Sequence, residues 1–211
     1  LEPLVRLAQC RQIARAFEKV TERPRLRPHL REDIGVEQVG IPFESLLRRA
    51  AEIAAARRPV ILAGHGVLHA EAWDQLVAFA EKTHIPVAWT LLGIGAIDET
   101  HPLAYGYMGM HGWKHVNRAI QSADLLIAIG MRFDDRVTGN VRTYAPYARI
   151  VHVDIDPAEI GKNVAVEVPI VGDAKRVLAA LEELVPATPP ADRQAYFDEL
   201  WAGVTANETL L

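Results

Sequence analysis

Arg132, Asp134, Asp135 and Arg136 place two guanidinium groups and two carboxylates directly after Gly130, inside the stretch Ile129 to Gly139. The stretch follows Leu125-Leu126-Ile127-Ala128-Ile129, a wholly apolar run that reads as a strand buried on both faces. In open α/β sheets, ligands bind outside the carboxyl ends of the strands. A charged loop in that position is either a ligand-binding loop or a solvated turn with internal Arg–Asp pairs. No catalytic residue is assigned to it or to any other part of the chain.

Other residues with chemical potential also follow apolar runs. Gly64-His65-Gly66 closes the run Pro59 to Ala63. Glycines there let backbone approach a phosphate, whose charge suits the amides of a helix start. The third glycine of a GxGxxG motif is absent, since position 69 is His, and a bare GxG after a strand is more often a simple tight turn. The run Arg149 to Asp156 ends in Asp154 and Asp156, read as two acids on one face of a strand. Such an acid accepts from ribose hydroxyls in a dinucleotide fold, or caps the turn at Pro157-Ala158. Asp173 is a good N-cap for a helix carrying Val177, Leu178, Leu181, Leu184 and Val185.

The elements that must position these groups are legible around them. Residues 3–22 read as a helix, 23–42 as a proline-containing linker, and 43–54 as an amphipathic helix ended by Arg57-Arg58. Strands are expected over 59–63, 85–89, 125–129, 149–156 and 167–171, with helices carrying Trp73 to Ala80 and Val116 to Ala123. Residues 93–112 read as a long glycine-rich loop holding Tyr105, Tyr107, Met108 and Met110, whose side chains suit either a flat ring or a core. Residues 191–206 read as a final helical tail or linker. The domains are therefore 1–42, a helix and linker; 43–186, the main domain; and 187–211, a C-terminal helical tail.

Composition narrows the functional classes. Half of the 211 residues are hydrophobic, enough for a sizeable core, and the net charge of −4 does not point to nucleic acid. No apolar run approaches the roughly 20 residues of a membrane helix. The single cysteine, Cys10, fits a reducing cytoplasm. His65/His69 and His111/His115 have i,i+4 spacing but no HExxH or cysteine cluster, so no metal site is expected. Alternation of strands and helices requires crossovers. The class expected is α/β, a Rossmann-like doubly wound parallel sheet of about six strands with helices on both faces, binding a dinucleotide-sized ligand along one edge.

Gly130-Met-Arg-Phe-Asp-Asp-Arg-Val-Thr-Gly139, with Met108-Gly-Met-His-Gly112 before it and His152-Val-Asp-Ile-Asp-Pro-Ala-Glu-Ile-Gly-Lys-Asn163 after it, closely resembles the central domain of acetolactate synthase catalytic subunits. The resemblance runs from about Pro59 to Val185. It implies FAD on this domain, with thiamine diphosphate and Mg²⁺ on other domains of the full enzyme. Gly64, His65 and Gly66 are implied near the FAD phosphates, and Thr90 and Leu91 along the cofactor. Met108, Gly109, Met110 and His111 are implied toward the flavin. Gly130, Met131, Arg132, Phe133 and Asp134 are implied to run along FAD, and Asp154, Ile155, Asp173 and Ala174 to hold its ribose and adenine end. Asp135 and Arg136, with Met110 and His111, are implied at the substrate channel. The implied partners are the thiamine-diphosphate domains and further copies of the chain, with room for a regulatory subunit.

The family's catalytic-glutamate domain does not precede residue 59, and its GDG…N metal motif does not follow 185, so these 211 residues alone are expected to be inactive. Trp113 stands where the family usually has a smaller or polar residue, and residues 23–42 depart from the family's interdomain segment. A stand-alone NAD- or FAD-binding module, or a non-catalytic one, is the alternative.

Overall fold

The structure is a computed structural model that describes residues 42–186 and 191–208. The expected helix over 3–22, the linker up to 41 and Cys10 lie outside the described residues. Six strands form one sheet: β1 (Pro59–Ala63), β2 (Val87–Trp89), β3 (Ala104–Tyr107), β4 (Leu125–Ile129), β5 (Arg149–Asp154) and β6 (Val168–Val171). All pairings are parallel and the order is β3-β2-β1-β4-β5-β6. This is the order of dinucleotide-binding folds, with a topological switch point between β1 and β4.

Helices cover both faces. Among them α1 (Phe43–Ala55), α3 (Trp73–Thr83) and α6 (Ala174–Leu184) bury Leu46, Leu76, Phe79 and Val177 against Ile61, Val87, Ile127 and Val151. On the other face α4 (Lys114–Ser122) and α7 (Ala191–Glu208) bury Val116, Ala119, Tyr196 and Leu200 with Val60, Leu62, Leu126 and Ala128. Alternate residues of β1 and β4 serve opposite cores, so both strands must be apolar throughout.

Several elements differ from the sequence expectation. The loop read over 93–112 contains β3, an edge strand whose pattern is broken by Gly106, at φ +129°. Strand β2 is shorter than read, since Ile85 and Pro86 precede it. A five-residue helix, α2 (His65–His69), fills the turn between β1 and α3. Arg57 and Arg58 lie beyond α1, outside its last turn. Their amides instead donate to the two carboxylate oxygens of Asp124, at 2.7 and 2.9 Å, which ties the start of β1 to the start of β4. Strand β5 stops at Asp154, so Asp154 and Asp156 do not share a strand face.

The segment read as a tail forms α7, and it is anchored by an arginine. Arg193 is 1% exposed and donates to the carbonyls of Ile53, Ala56 and Thr83 at 2.7–2.8 Å. These carbonyls stand at the C-terminal ends of α1 and α3, where helices have acceptors to spare.

Candidate functional site: a cleft along the carboxyl edge of the sheet

The loops after β1 and β4 meet at the switch point. Gly64 N–H donates to Ile129 O, and Gly66 N–H to Gly130 O, both at 2.9 Å. A Cβ at Gly64 would stand 2.4 Å from Met131 Cβ, and one at Gly66 would stand 2.6 Å from Gly130 Cα. The glycines therefore close backbone on backbone. The sequence suggested that they make room for a phosphate; their first role is to let α2 seat on the loop that follows β4.

Two hollows open on either side of this contact. The wider, about 630 Å³, is lined by His65, Thr90, Leu91, Leu92, Tyr107, Met108, His111, Gly130, Met131, Arg132, Asp134, Arg136 and Val137. The narrower, about 260 Å³, is lined by Gly66, His69, Ala70, Gly130, Val153, Asp154, Ile155, Gly172, Asp173 and Ala174. Gly130 borders both. A third, more open depression of about 870 Å³ lies between α4, Arg58, Asp124 and Tyr147, toward the amino edge of the sheet, and is lined by none of the residues implied to bind cofactor or substrate.

Each charged residue of the β4 loop has its own setting. Asp134 caps α5 (Asp135–Thr138), its carboxylate accepting from Val137 N–H at 3.2 Å. Arg132 is 63% exposed at its side chain and stands 4.0 Å from Asp134, a loose pair that leaves the guanidinium free to meet a ligand. Arg136 lines the same hollow from α5. Asp154 accepts from Asp156 N–H at 2.9 Å and Asp173 from Arg176 N–H at 3.1 Å, one oxygen of each carboxylate. Asp156 caps the following turn by accepting from Ala158 N–H, the bland role weighed for it in the sequence.

The turn over 108–112 is fastened twice. Asn117 on α4 grips Gly109, donating to its carbonyl at 2.8 Å and accepting from its amide at 3.0 Å. Met110 N–H donates to Arg136 O at 2.7 Å. On the other side, His152 Nε2 lies 2.9 Å from Met131 O, with Phe133 edge-on to its ring at a centroid distance of 5.1 Å. Burial holds the His152 imidazole below its ordinary pKa despite the Met131 hydrogen bond. It is therefore neutral at pH 7.

A family model described as the thiamine pyrophosphate enzyme central domain matches residues 47–181. The chain belongs to the thiamine pyrophosphate enzymes, as a central domain. It is 50% identical over 164 residues to a probable acetolactate synthase large subunit of Methanocaldococcus jannaschii, covering 77% of this chain and 27% of that one. It is 52% identical over 155 residues to the acetolactate synthase large subunit of Corynebacterium glutamicum, covering 73% and 25%. An acetolactate synthase of Mycobacterium avium is 48% identical over 163 residues, covering 77% and 24%. The chain thus spans about a quarter of the length of the curated relatives it matches.

Within this central domain, most of the residues singled out in the sequence line one of the two hollows. His65, Thr90, Leu91, Met108, His111, Met131, Arg132, Asp134 and Arg136 line the wide one, and Gly66, Asp154, Ile155, Asp173 and Ala174 the narrow one. Gly64 lies beneath, against Met131. Like Gly64, four others line neither hollow. Phe133 turns into the core beside Tyr144 and His152. Gly109 packs on Arg136 O, Met110 is 58% exposed, and Asp135 faces outward from the first turn of α5. The sequence reading did not single out Leu92, Val137 or Asn117; it named Tyr107 only as suited to a flat ring or a core, and His69 only as the i,i+4 neighbour of His65. Asn117 sits at the border of α4's apolar face, beside Lys114 and Gln121, and nothing in the sequence marks it.

Among the described residues no three His, Cys, Asp or Glu side chains converge as a metal site, and no helix is long and apolar enough to cross a membrane.

Proposed function

We propose that this central domain binds FAD across the carboxyl edge of its sheet, within an acetolactate synthase that joins two 2-ketoacids on thiamine diphosphate in branched-chain amino-acid biosynthesis. One observation carries the reading: the cleft spans the β1/β4 switch point and its two ends differ in charge. Arg132 and Arg136 offer cations in the wide part, while Asp154 and Asp173 offer acceptors in the narrow part. That is the polarity an elongated dinucleotide needs, with its phosphates near cations and its ribose hydroxyls near carboxylates. The wide hollow is of ordinary ligand-pocket size and its walls are mostly apolar, as a flat ring requires.

FAD supplies no net redox chemistry to the overall condensation. In this reading the residues bind and orient. His65 and Arg132 meet the diphosphate, Thr90, Leu91 and Met108 flank the flavin, and Asp154, Ile155, Asp173 and Ala174 receive the ribose and adenine. Arg136, with His111, Met110 and Asp135, faces the substrate channel, where a planar fork suits a 2-ketoacid carboxylate. Thiamine diphosphate and Mg²⁺ belong to the enzyme's other domains, so the 211 residues alone form no acetolactate. Leu91, Leu92, Met110 and Ile155 stay exposed on this edge, an apolar rim suited to those domains and to a second copy. The single cysteine agrees with a cytoplasmic enzyme.

The absorption spectrum of the chain after incubation with FAD and removal of excess tests the proposal. Retained flavin bands are expected. Retention of a nicotinamide dinucleotide in place of flavin, or of neither, overturns it.

A further inference from the structure

The geometry points to His152 as the positioning residue of the cleft: from inside the sheet it fixes the peptide that carries Arg132. His152 is 0% exposed, in β5 opposite Ala128 of β4. A fully buried imidazole in the middle of a strand needs a partner for its N–H. Its partner is Met131 O, 2.9 Å from Nε2.

A carbonyl can only accept, so Nε2 carries the proton and Nδ1 is bare. Nδ1 is buried and has no hydrogen-bond partner among the described residues. The ring makes one hydrogen bond and an edge contact with Phe133, both to the loop after β4, while Asp154 Oδ2 on β5 lies 4.0 Å from Nε2, beyond hydrogen-bond reach.

The loop depends on the same bond. Met131 is 3% exposed, and no backbone amide among the described residues donates to its carbonyl. Without His152 that acceptor would be buried unpaired, and the peptide would turn to find water. In a trans peptide the C=O and the next N–H point in opposite directions. Pinning Met131 O toward β5 therefore aims the Arg132 amide away from the core. It also keeps the Met131 side chain against Gly64, where a Cβ would be only 2.4 Å from Met131 Cβ. One buried histidine so sets both the floor of the wide hollow and the direction in which the chain leaves it toward Arg132.

This inference rests on the FAD reading for its functional consequence but not for its structural one, and the experiment separates the two. His152→Gln keeps an N–H donor of similar reach; His152→Leu keeps the bulk and removes the donor. Amide hydrogen exchange across 130–136 is measured on the ligand-free wild type and both variants, in buffer where each is folded by circular dichroism. FAD affinity is then titrated on the same three proteins. His152→Leu is expected to speed exchange in 130–136 at least tenfold while β1 and α6 stay protected, and to weaken FAD about tenfold. His152→Gln is expected to recover most of both.

Unchanged exchange in 130–136 in a folded His152→Leu protein overturns the positioning role. So does exchange that rises equally throughout the domain, which marks a plain core residue. If wild type binds no FAD, the cofactor reading fails by itself and the exchange result still decides His152. A folded His152→Leu protein that binds FAD like wild type also overturns the role.

Discussion

The amide of Gly66 donates to the carbonyl of Gly130 at 2.9 Å, and a Cβ built on Gly130 would lie 2.5 Å from Gly66 Cα. The pair is the join between the two halves of the sheet. Gly130 also sits at φ +57°, a conformation that costs any residue with a side chain. Both neighbours are backbone, so neither can swing aside for a methyl group.

Gly66→Ala and Gly130→Ala are each expected to cost about 1–3 kcal/mol, the usual range for overpacking. For a domain of this size that is roughly 2–4 °C of melting temperature per kcal/mol. Gly203→Ala is the control: a Cβ there on α7 meets nothing within 4 Å among the described residues, and alanine favours a helix. Thermal melts of the three variants check this. Equal melting temperatures for all would show that the switch-point contact is slack.

This pair also shows what the sequence could and could not reveal. Strands β1 and β4 were legible because each must be apolar on both faces, which leaves an unmistakable run of five. The charged loop after β4 was legible because charge against such a run stands out. The partner of the Gly64-His65-Gly66 turn was not legible, because Gly130 is remote in sequence and only the strand order makes them neighbours. Strand β3 was hidden because it is an edge strand, half exposed and containing a glycine. The direction of Phe133 was hidden too, since a loop has no periodicity to say which residue turns inward.

Arg193 makes α7 a full member of the fold. Its guanidinium collects carbonyls from the ends of α1 and α3, so its loss strands acceptors on both helices. An unpaired buried group costs roughly 1–3 kcal/mol, and water relieves part of that at helix ends. Arg193→Met is therefore expected to lower stability by about 2–4 kcal/mol. Wild type is expected to lose α7 and the sheet in one urea transition. An unchanged midpoint in the variant, or a separate early loss of helix in wild type, would contradict this.

The buried imidazole gives stability a defined pH dependence. Burial lowers the His152 pKa in the folded state below the ordinary value near 6.5. Between the folded and unfolded pKa values the unfolded chain binds more protons, so stability rises with pH there. The contribution is fully present above about pH 6.5 and is lost as pH falls through the folded pKa. Urea midpoints from pH 7.5 down to 5 are expected to fall, and to fall less steeply in His152→Gln, which has no proton to gain. Parallel profiles would mean that other groups set the slope.

The two arginines of the cleft are expected to differ. Gly130 borders both hollows, so an elongated ligand filling both is expected to have its middle over it, and Arg132 is the cation two residues away. Arg136 stands on α5, beside the turn that carries Met110 and His111. In FAD the diphosphate is the middle, so Arg132 should meet it and Arg136 should lie nearer the substrate. A charge-assisted hydrogen bond is worth roughly 1.5–3 kcal/mol, or about ten- to a hundredfold in affinity. Arg132→Ala is expected to weaken FAD by that factor and to flatten the salt dependence of binding, because Arg132 is exposed and its pairing is screened. Arg136→Ala is expected to change affinity less. Fluorescence-quenching titrations at two ionic strengths check both. A larger loss at Arg136 would mean that the ligand lies the other way along the cleft.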